Sequence, residues 1–109
     1  MARVSMPLFD DAVPVGYGNI GHDIDLTAYR SCVLYFKVTG LTGGTFSVGL
    51  YEIDEITNSS INVAGATFTS GTEGYLRAPI DVLYGNKYQL EWYSPGSDAS
   101  VVAGIVALD

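Results

Sequence analysis

The sequence is short of the residues on which most enzymatic chemistry depends. Its 109 residues include one cysteine, Cys32, and one histidine, His22. A single cysteine excludes an intrachain disulfide framework and any cysteine-based zinc site, which takes two to four thiolates. A single histidine leaves no cluster of imidazoles for a metal. Basic residues are scarce as well: five Lys+Arg stand against twelve Asp+Glu, for a formal net charge of −7. Nucleic-acid affinity comes from neutralising phosphates, so a nucleic-acid partner is not expected; nor is an anionic membrane surface. Long apolar runs are missing. Val101 to Leu108, the longest, includes Gly104 and falls far below the ~20 residues of a spanning helix. The first residues, Met1 to Asp11, lack an uninterrupted apolar stretch and end on an acidic pair, which does not read as a signal peptide. The expectation is a soluble protein made in a cytoplasm, a compartment that suits one reduced cysteine.

Helical periodicity is hard to find. Short runs of Val, Ile, Thr, Tyr and Phe, punctuated by Gly, Asn, Ser and Pro, read as strands from end to end. Cys32, Leu34, Phe36 and Val38 fall on one face of a strand, with Val33, Tyr35 and Lys37 on the other. After the turn Gly40–Gly44 comes Thr45 to Ile53, with Phe46, Val48 and Leu50 on one face; the two strands read as a hairpin. Ile61 to Phe68 is a weaker strand. Gly74 to Ile80 is a short one, marked as an edge or strand end by Pro79. Lys87 to Tyr93 places Tyr88, Leu90 and Trp92 inward and Lys87, Gln89, Glu91 and Tyr93 outward. After the turn Ser94–Ser97, Val101 to Leu108 is apolar on both faces, as a central or partner-covered strand would be. The predicted fold is all-β: one antiparallel sandwich, jelly-roll-like, of about 6–8 strands.

The first ~20 residues differ from this pattern. Pro7, Pro14, Gly16, Gly18 and Gly21 interrupt them, yet Val4, Met6, Leu8, Phe9, Val13, Val15 and Tyr17 make them too apolar for a solvated tail. They read either as an edge strand of their own domain or as an extended arm packing on a neighbouring subunit. The corresponding division is an arm over residues 1–19 and a sandwich over 20–109.

Candidate chemistry is thin. His22, in Gly21-His22-Asp23-Ile24-Asp25, has carboxylates beside it but no nucleophile or second acid in any recognisable motif, and is expected to be a surface or structural residue. Asp23-x-Asp25 and Glu52-x-Asp54-Glu55 offer oxygens, but neither follows the twelve-residue calcium loop; they read as solvated acidic loops. Cys32 alternates with core residues and reads as a small buried hydrophobe. Gly40-x-x-Gly43-Gly44 lacks the Lys-Ser/Thr of a phosphate loop and precedes a strand. No Gly-x-Ser-x-Gly occurs. No catalytic, metal or cofactor-binding residue is therefore expected. The rich resource is aromatic: eight Tyr, four Phe and one Trp. Tyr35, Tyr51 and Tyr93 fall on non-core faces, where they suit sugar stacking, a protein interface, or the second face of a sandwich.

Asp25-Leu26-Thr27-Ala28-Tyr29-Arg30-Ser31 leads into the first alternating strand, and Lys87-Tyr88-Gln89-Leu90-Glu91-Trp92-Tyr93, a polar turn with Asp98-Ala99-Ser100, and Val101-Val102-Ala103-Gly104-Ile105-Val106 follow far downstream. This order resembles the small β-sandwich structural proteins of tailed bacteriophages, capsid decoration (cement) proteins among them, and the resemblance implies that the aromatic-rich strand, the turn and the apolar last strand form a closing hairpin. The resemblance spans about residues 20–108, and Tyr51 to Phe68 carries no matching motif. It implies a non-enzymatic virion protein on the capsid surface, a homotrimer bound to the assembled shell of major capsid protein, with no catalytic residues and no cofactor. The contact residues expected are Met6, Leu8, Phe9, Val13, Val15 and Tyr17 of the arm and the outward Tyr35, Tyr51 and Tyr93. The alternative is a carbohydrate- or receptor-binding module of a phage tail or adhesin, with Trp92 and the tyrosines on sugars and calcium at the acidic loops.

Overall fold

A computed structural model of the chain describes residues 3–41, 44–96 and 98–109. Thr42 and Gly43 of the expected Gly40–Gly44 turn, and Ser97 of the expected Ser94–Ser97 turn, lie outside the described residues. Eight strands follow the apolar and alternating stretches: β1 (Arg3–Val13), β2 (Gly16–Asp25), β3 (Ser31–Thr39), β4 (Phe46–Asp54), β5 (Ser59–Ser70), β6 (Gly74–Ile80), β7 (Lys87–Ser94) and β8 (Ala99–Leu108). They form two four-stranded antiparallel sheets, ordered β1-β8-β3-β6 and β2-β7-β4-β5. No helix occurs among the described residues.

The pairing is nested: β1 with β8, β2 with β7, β3 with β6, β4 with β5. Ladders β3·β8 and β4·β7 then join the pairs into sheets. This is an eight-strand hairpin rolled on itself, the jelly-roll form of the sandwich. Only β4 and β5 are consecutive strands of one sheet. Two expected hairpins are therefore corrected. The link from β3 to β4 crosses between sheets, as does the link from β7 to β8. Both strands of each pair carry one apolar face, and those faces meet across the sandwich rather than side by side within a sheet.

Alternation builds the core as expected. Cys32, Leu34, Phe36 and Val38 from β3 point inward, as do Phe46, Val48 and Leu50 from β4, and all are buried. From β8, Ala99, Val101, Ala103, Ile105 and Ala107 meet them, and Tyr88 and Leu90 come from β7. Tyr88 keeps its hydroxyl satisfied inside: it accepts from the Gly85 amide at 3.1 Å and donates to the Gly85 carbonyl at 3.2 Å. β8 is central in its sheet, but on its outward side Val102 is exposed and Val106 and Leu108 are half-buried. Pro79 lies on edge strand β6, where its missing N–H breaks no inner ladder.

The segment set apart as an arm, residues 1–19, is over its described residues β1 and the start of β2. β1 pairs with β8 from Arg3 to Val13, and β2 pairs with β7. In the single chain this segment is thus an edge strand of one sheet and the beginning of an edge strand of the other. Its apolar residues explain why: Val13 is fully buried, and Met6, Leu8 and Phe9 pack against the core. β2 escaped notice in the sequence because of its glycines. Gly18, at φ +145°, sits across from Trp92, and a Cβ there would lie 3.0 Å from the indole ring.

Truncating Leu34 to Ala should cost about 2–5 kcal/mol of unfolding free energy, measured by urea titration, because its cavity cannot collapse between two ladders. Deleting residues 1–18 should abolish cooperative thermal unfolding, since it strips an entire edge strand and Val13 from the core.

Candidate functional site

The two sheets bury one face each and turn the other outward, so the molecule offers two broad outer faces, and a cleft of about 420 Å³ lined by Glu52, Asn62, Asp81, Tyr84 and Tyr88 opens between β4–β5 of one sheet and the end of β6 of the other. Register fixes what each face carries. On the β1-β8-β3-β6 side, cross-strand rows read Ser5–Val106–Val33–Pro79, Pro7–Gly104–Tyr35–Arg77 and Asp10–Val102–Lys37–Tyr75. The middle row has no side chain at Gly104, and a depression of about 680 Å³ opens there. Its surroundings are chiefly apolar, with Tyr35, Tyr75 and Val102 exposed. Lys37 reaches over Tyr75, its Nζ 5.9 Å from the ring centre, as cation–π pairs do. Lys37 and Arg77 flank the depression and Arg3 stands at the end of β1, so three of the five basic residues belong to this face.

The β2-β7-β4-β5 face has another character. Tyr17 and Tyr93 are directly opposite each other on β2 and β7, 80% and 57% exposed, and Ser47 follows on β4. Beside them a polar network is already wired. Asn19 Nδ2 donates to Gln89 Oε1 at 3.2 Å, Gln89 Nε2 donates to Glu91 Oε2 at 2.7 Å, and the Ser60 hydroxyl donates to the same Glu91 oxygen. Tyr51, half-buried, borders the same shallow hollow as Tyr17, Tyr93 and Trp92. The Trp92 indole, expected to point fully inward, is half-buried, and its N–H donates to the Pro14 carbonyl at 3.2 Å.

The expected contact residues are therefore divided. Tyr17, Tyr51 and Tyr93 come together on one outer face. Tyr35 lies on the opposite face, because alternation specifies in or out but not which sheet. Val15 is exposed in the β1–β2 turn. Met6, Leu8 and Phe9 are half-buried and Val13 is buried, so in the single chain Val13 presents no contact surface. Sequence reasoning missed Tyr75, Val102 and the basic residues beside them; Val102 was visible as the outward member of an apolar strand.

The acidic stretches expected as loops lie mostly on strands, Asp23 and Asp25 on β2 and Glu52 and Asp54 on β4, because each strand runs on to its last carboxylate, which pins the turn that follows. Asp25 Oδ1 accepts from the Thr27 amide at 2.9 Å and hydroxyl at 2.6 Å, and these bonds hold its carboxyl below the ordinary value. Asp54 accepts from the Thr57 hydroxyl and from the Ile56 amide at 3.0 Å, with the same effect. Among the described residues no three of His, Cys, Asp and Glu gather as a metal site would require. His22 is exposed on β2. Cys32 is buried, and burial pushes its thiol up to about 11.

No protein-family model and no curated protein matches the sequence. Solved structures do. The SPBc2 prophage-derived protein YomS is similar with TM-score 0.59 and 17% identity, over 97% of this chain and 93% of that one. The PBSX exported protein XepA gives TM-score 0.64 and 11% identity over 96% of this chain, which spans 37% of that larger one. The CBM36-1 domain of a multidomain xylanase from the Trinervitermes trinervoides hindgut metagenome gives TM-score 0.51 and 11% identity, over 96% of each chain. At such identities the likeness is one of fold, an all-β sandwich that a prophage-derived protein shares.

The depressed carboxyls of Asp25 and Asp54 carry a sign. Their contribution is complete above about pH 4, the ordinary carboxylate range, and is lost as pH falls through the lower folded-state values. Asp25→Asn and Asp54→Asn should each flatten the acid limb of a plot of Tm against pH, with the Tm gap to the parent chain closing as the pH drops.

Proposed function

We propose that the chain is a non-enzymatic structural protein of a bacteriophage virion, and specifically a decoration protein that binds the assembled head as a homotrimer. The observation that carries this reading is the uncovered apolar face of β1-β8-β3-β6. A contiguous apolar face on a small acidic domain marks an interaction surface, and monomeric proteins seldom leave one bare. Its centre is Val102, Gly104 and Tyr35, side chains and backbone with no acid–base or nucleophilic chemistry. The fold shared with a prophage-derived protein, and the strand-and-turn order that resembles phage structural proteins, support the same reading. Net negative charge keeps free copies soluble and off packaged DNA. Several weak contacts from each subunit of an oligomer then add up to tight attachment on a repeating shell.

The tyrosine face supports a second reading, a saccharide-binding module. Tyr17 and Tyr93 present ring surface beside prearranged amide and carboxylate groups, the combination that holds a sugar ring by stacking and by its hydroxyls.

Incubation with undecorated phage heads tests the first reading: the protein should co-sediment with them and raise the temperature at which they rupture, and heads left unbound and unprotected refute it. A glycan array with and without calcium tests the second. Reproducible micromolar glycan binding, weakened at least tenfold by Tyr93→Ala, would favour the saccharide module over the decoration protein.

A further inference from the structure

The β4–β5 turn projects a feature that no surface of its own copy accommodates. Asp54 to Asn58 close a tight turn, pinned by the bonds from Ile56 and Thr57 to the Asp54 carboxylate and by Asn58 in the left-handed conformation at φ 55°. Non-glycine residues seldom adopt that conformation, and asparagine is among those that tolerate it. At the tip stands Ile56, 95% exposed, the most exposed large hydrophobic side chain among the described residues. Asp54 and Glu55 precede it. The result is a preorganised knob: one bare aliphatic group on an acidic collar.

The opposite sheet carries its complement. The depression over Gly104 is apolar at its floor and open to solvent, and Lys37 and Arg77 stand at its rim. No carboxylate lies opposite either cation in the register; among the described residues Asp10, opposite Val102, is the one acid in these rows. Gly104 keeps the floor open, for a Cβ there would press to 3.3 Å from the Met6 carbonyl oxygen. In a chain of net charge −7 this basic-rimmed face is the exception. Two such faces placed against each other would set Lys37 and Arg77 against their own copies, so a face-to-face dimer is electrostatically disfavoured. An acidic knob is favoured.

We propose that the occupant of this face is a second copy of the chain, whose Ile56 seats in the depression over Gly104 while Asp54 and Glu55 meet Lys37 and Arg77. This rests on the reading of the protein as an assembling structural component, and it specifies which surfaces join the subunits. The contact is heterologous, because knob and depression are different surfaces on opposite sheets of one molecule. Each copy uses each surface once, so copies join head to tail; a rotation per contact of a third of a turn closes them into a trimer, whereas a rotation that does not close would give an open filament.

Light scattering coupled to size exclusion of the full chain tests this. The parent protein should run as a closed oligomer. Ile56→Asp and, separately, the double variant Lys37→Glu with Arg77→Glu should each run as monomers while keeping the parent's cooperative melt. An equimolar mixture of the two variants retains one intact contact and should form a heterodimer of twice the chain mass. Glu55→Lys, a second knob variant, should weaken association at least tenfold and recover it when combined with the double rim variant. A monomeric parent, variants as oligomeric as the parent, or a mixture that stays monomeric overturns the proposal. Head binding separates the two levels. An oligomer indifferent to these variants that still binds heads defeats the knob contact alone, whereas a knob-dependent oligomer that ignores heads defeats the decoration role alone.

Discussion

Each strand of this molecule has one face that must leave water, and the geometry of both sheets follows from that requirement. Leu34, Phe36 and Val38 on one side, and Val48, Leu50 and Leu90 on the other, form the two inner surfaces. Burying each such side chain is worth about 1.5–3 kcal/mol. A slip of one residue in any ladder would turn a whole row to solvent and bring its polar neighbours inside, so register is tightly specified. Among the described residues the one buried polar residue is Ser94, at the end of β7.

The same requirement decides what could be read in the sequence. Alternation announces which residues point inward, and Cys32 to Val38, Thr45 to Ile53 and Lys87 to Tyr93 were legible for that reason. Alternation says nothing about which neighbour a strand pairs with. A tight hairpin and a link that hops to the facing sheet leave the same pattern of apolar residues. The Gly40–Gly44 and Ser94–Ser97 links therefore resembled hairpins, although only β4–β5 is one. Tyr35 was grouped with Tyr51 and Tyr93 by the same ambiguity: all three point outward, but from opposite sheets. β2 was hidden for a different reason. Gly16, Gly18 and Gly21 weaken a strand signal, and here two of them give space to the Trp92 ring contributed from a distant part of the chain. β1 was legible as an edge strand or as an arm, and its pairing to β8 is a long-range fact that its own residues do not state.

The candidate surfaces were legible by halves. Outward apolar residues on β8 were plain from the sequence, and the closing strand read as covered on both sides. Its partner strands were not known, so Tyr75 and Arg77 of β6 could not be placed beside Val102. Ile56, next to the acidic stretch Glu52-x-Asp54-Glu55, drew no reading of its own from the sequence. Its significance depends on a turn held by Asp54, which sets a bare aliphatic side chain at the tip of a hairpin.

The sheet edges explain why association would proceed through faces and turns. An open edge strand invites a neighbouring strand to add to the sheet, and proteins blunt such edges with proline, bulges and short strands. Edge strand β1 carries Pro7 and a register shift between Pro7 and Phe9. Edge strand β6 is seven residues long and contains Pro79. Edge strand β2 breaks register between Ile20 and Ile24, and β5 breaks its pairing with β4 between Gly49 and Tyr51. All four edges are interrupted, so strand addition from another copy would meet missing donors or misaligned ladders at each. The faces carry no such obstruction. One is wired with polar groups and tyrosines; the other is apolar with a basic rim. Long-range repulsion between copies of net charge −7 weakens beyond about 8–10 Å at physiological salt. Short-range complementarity, and not strand pairing, is then what can hold one copy to the next.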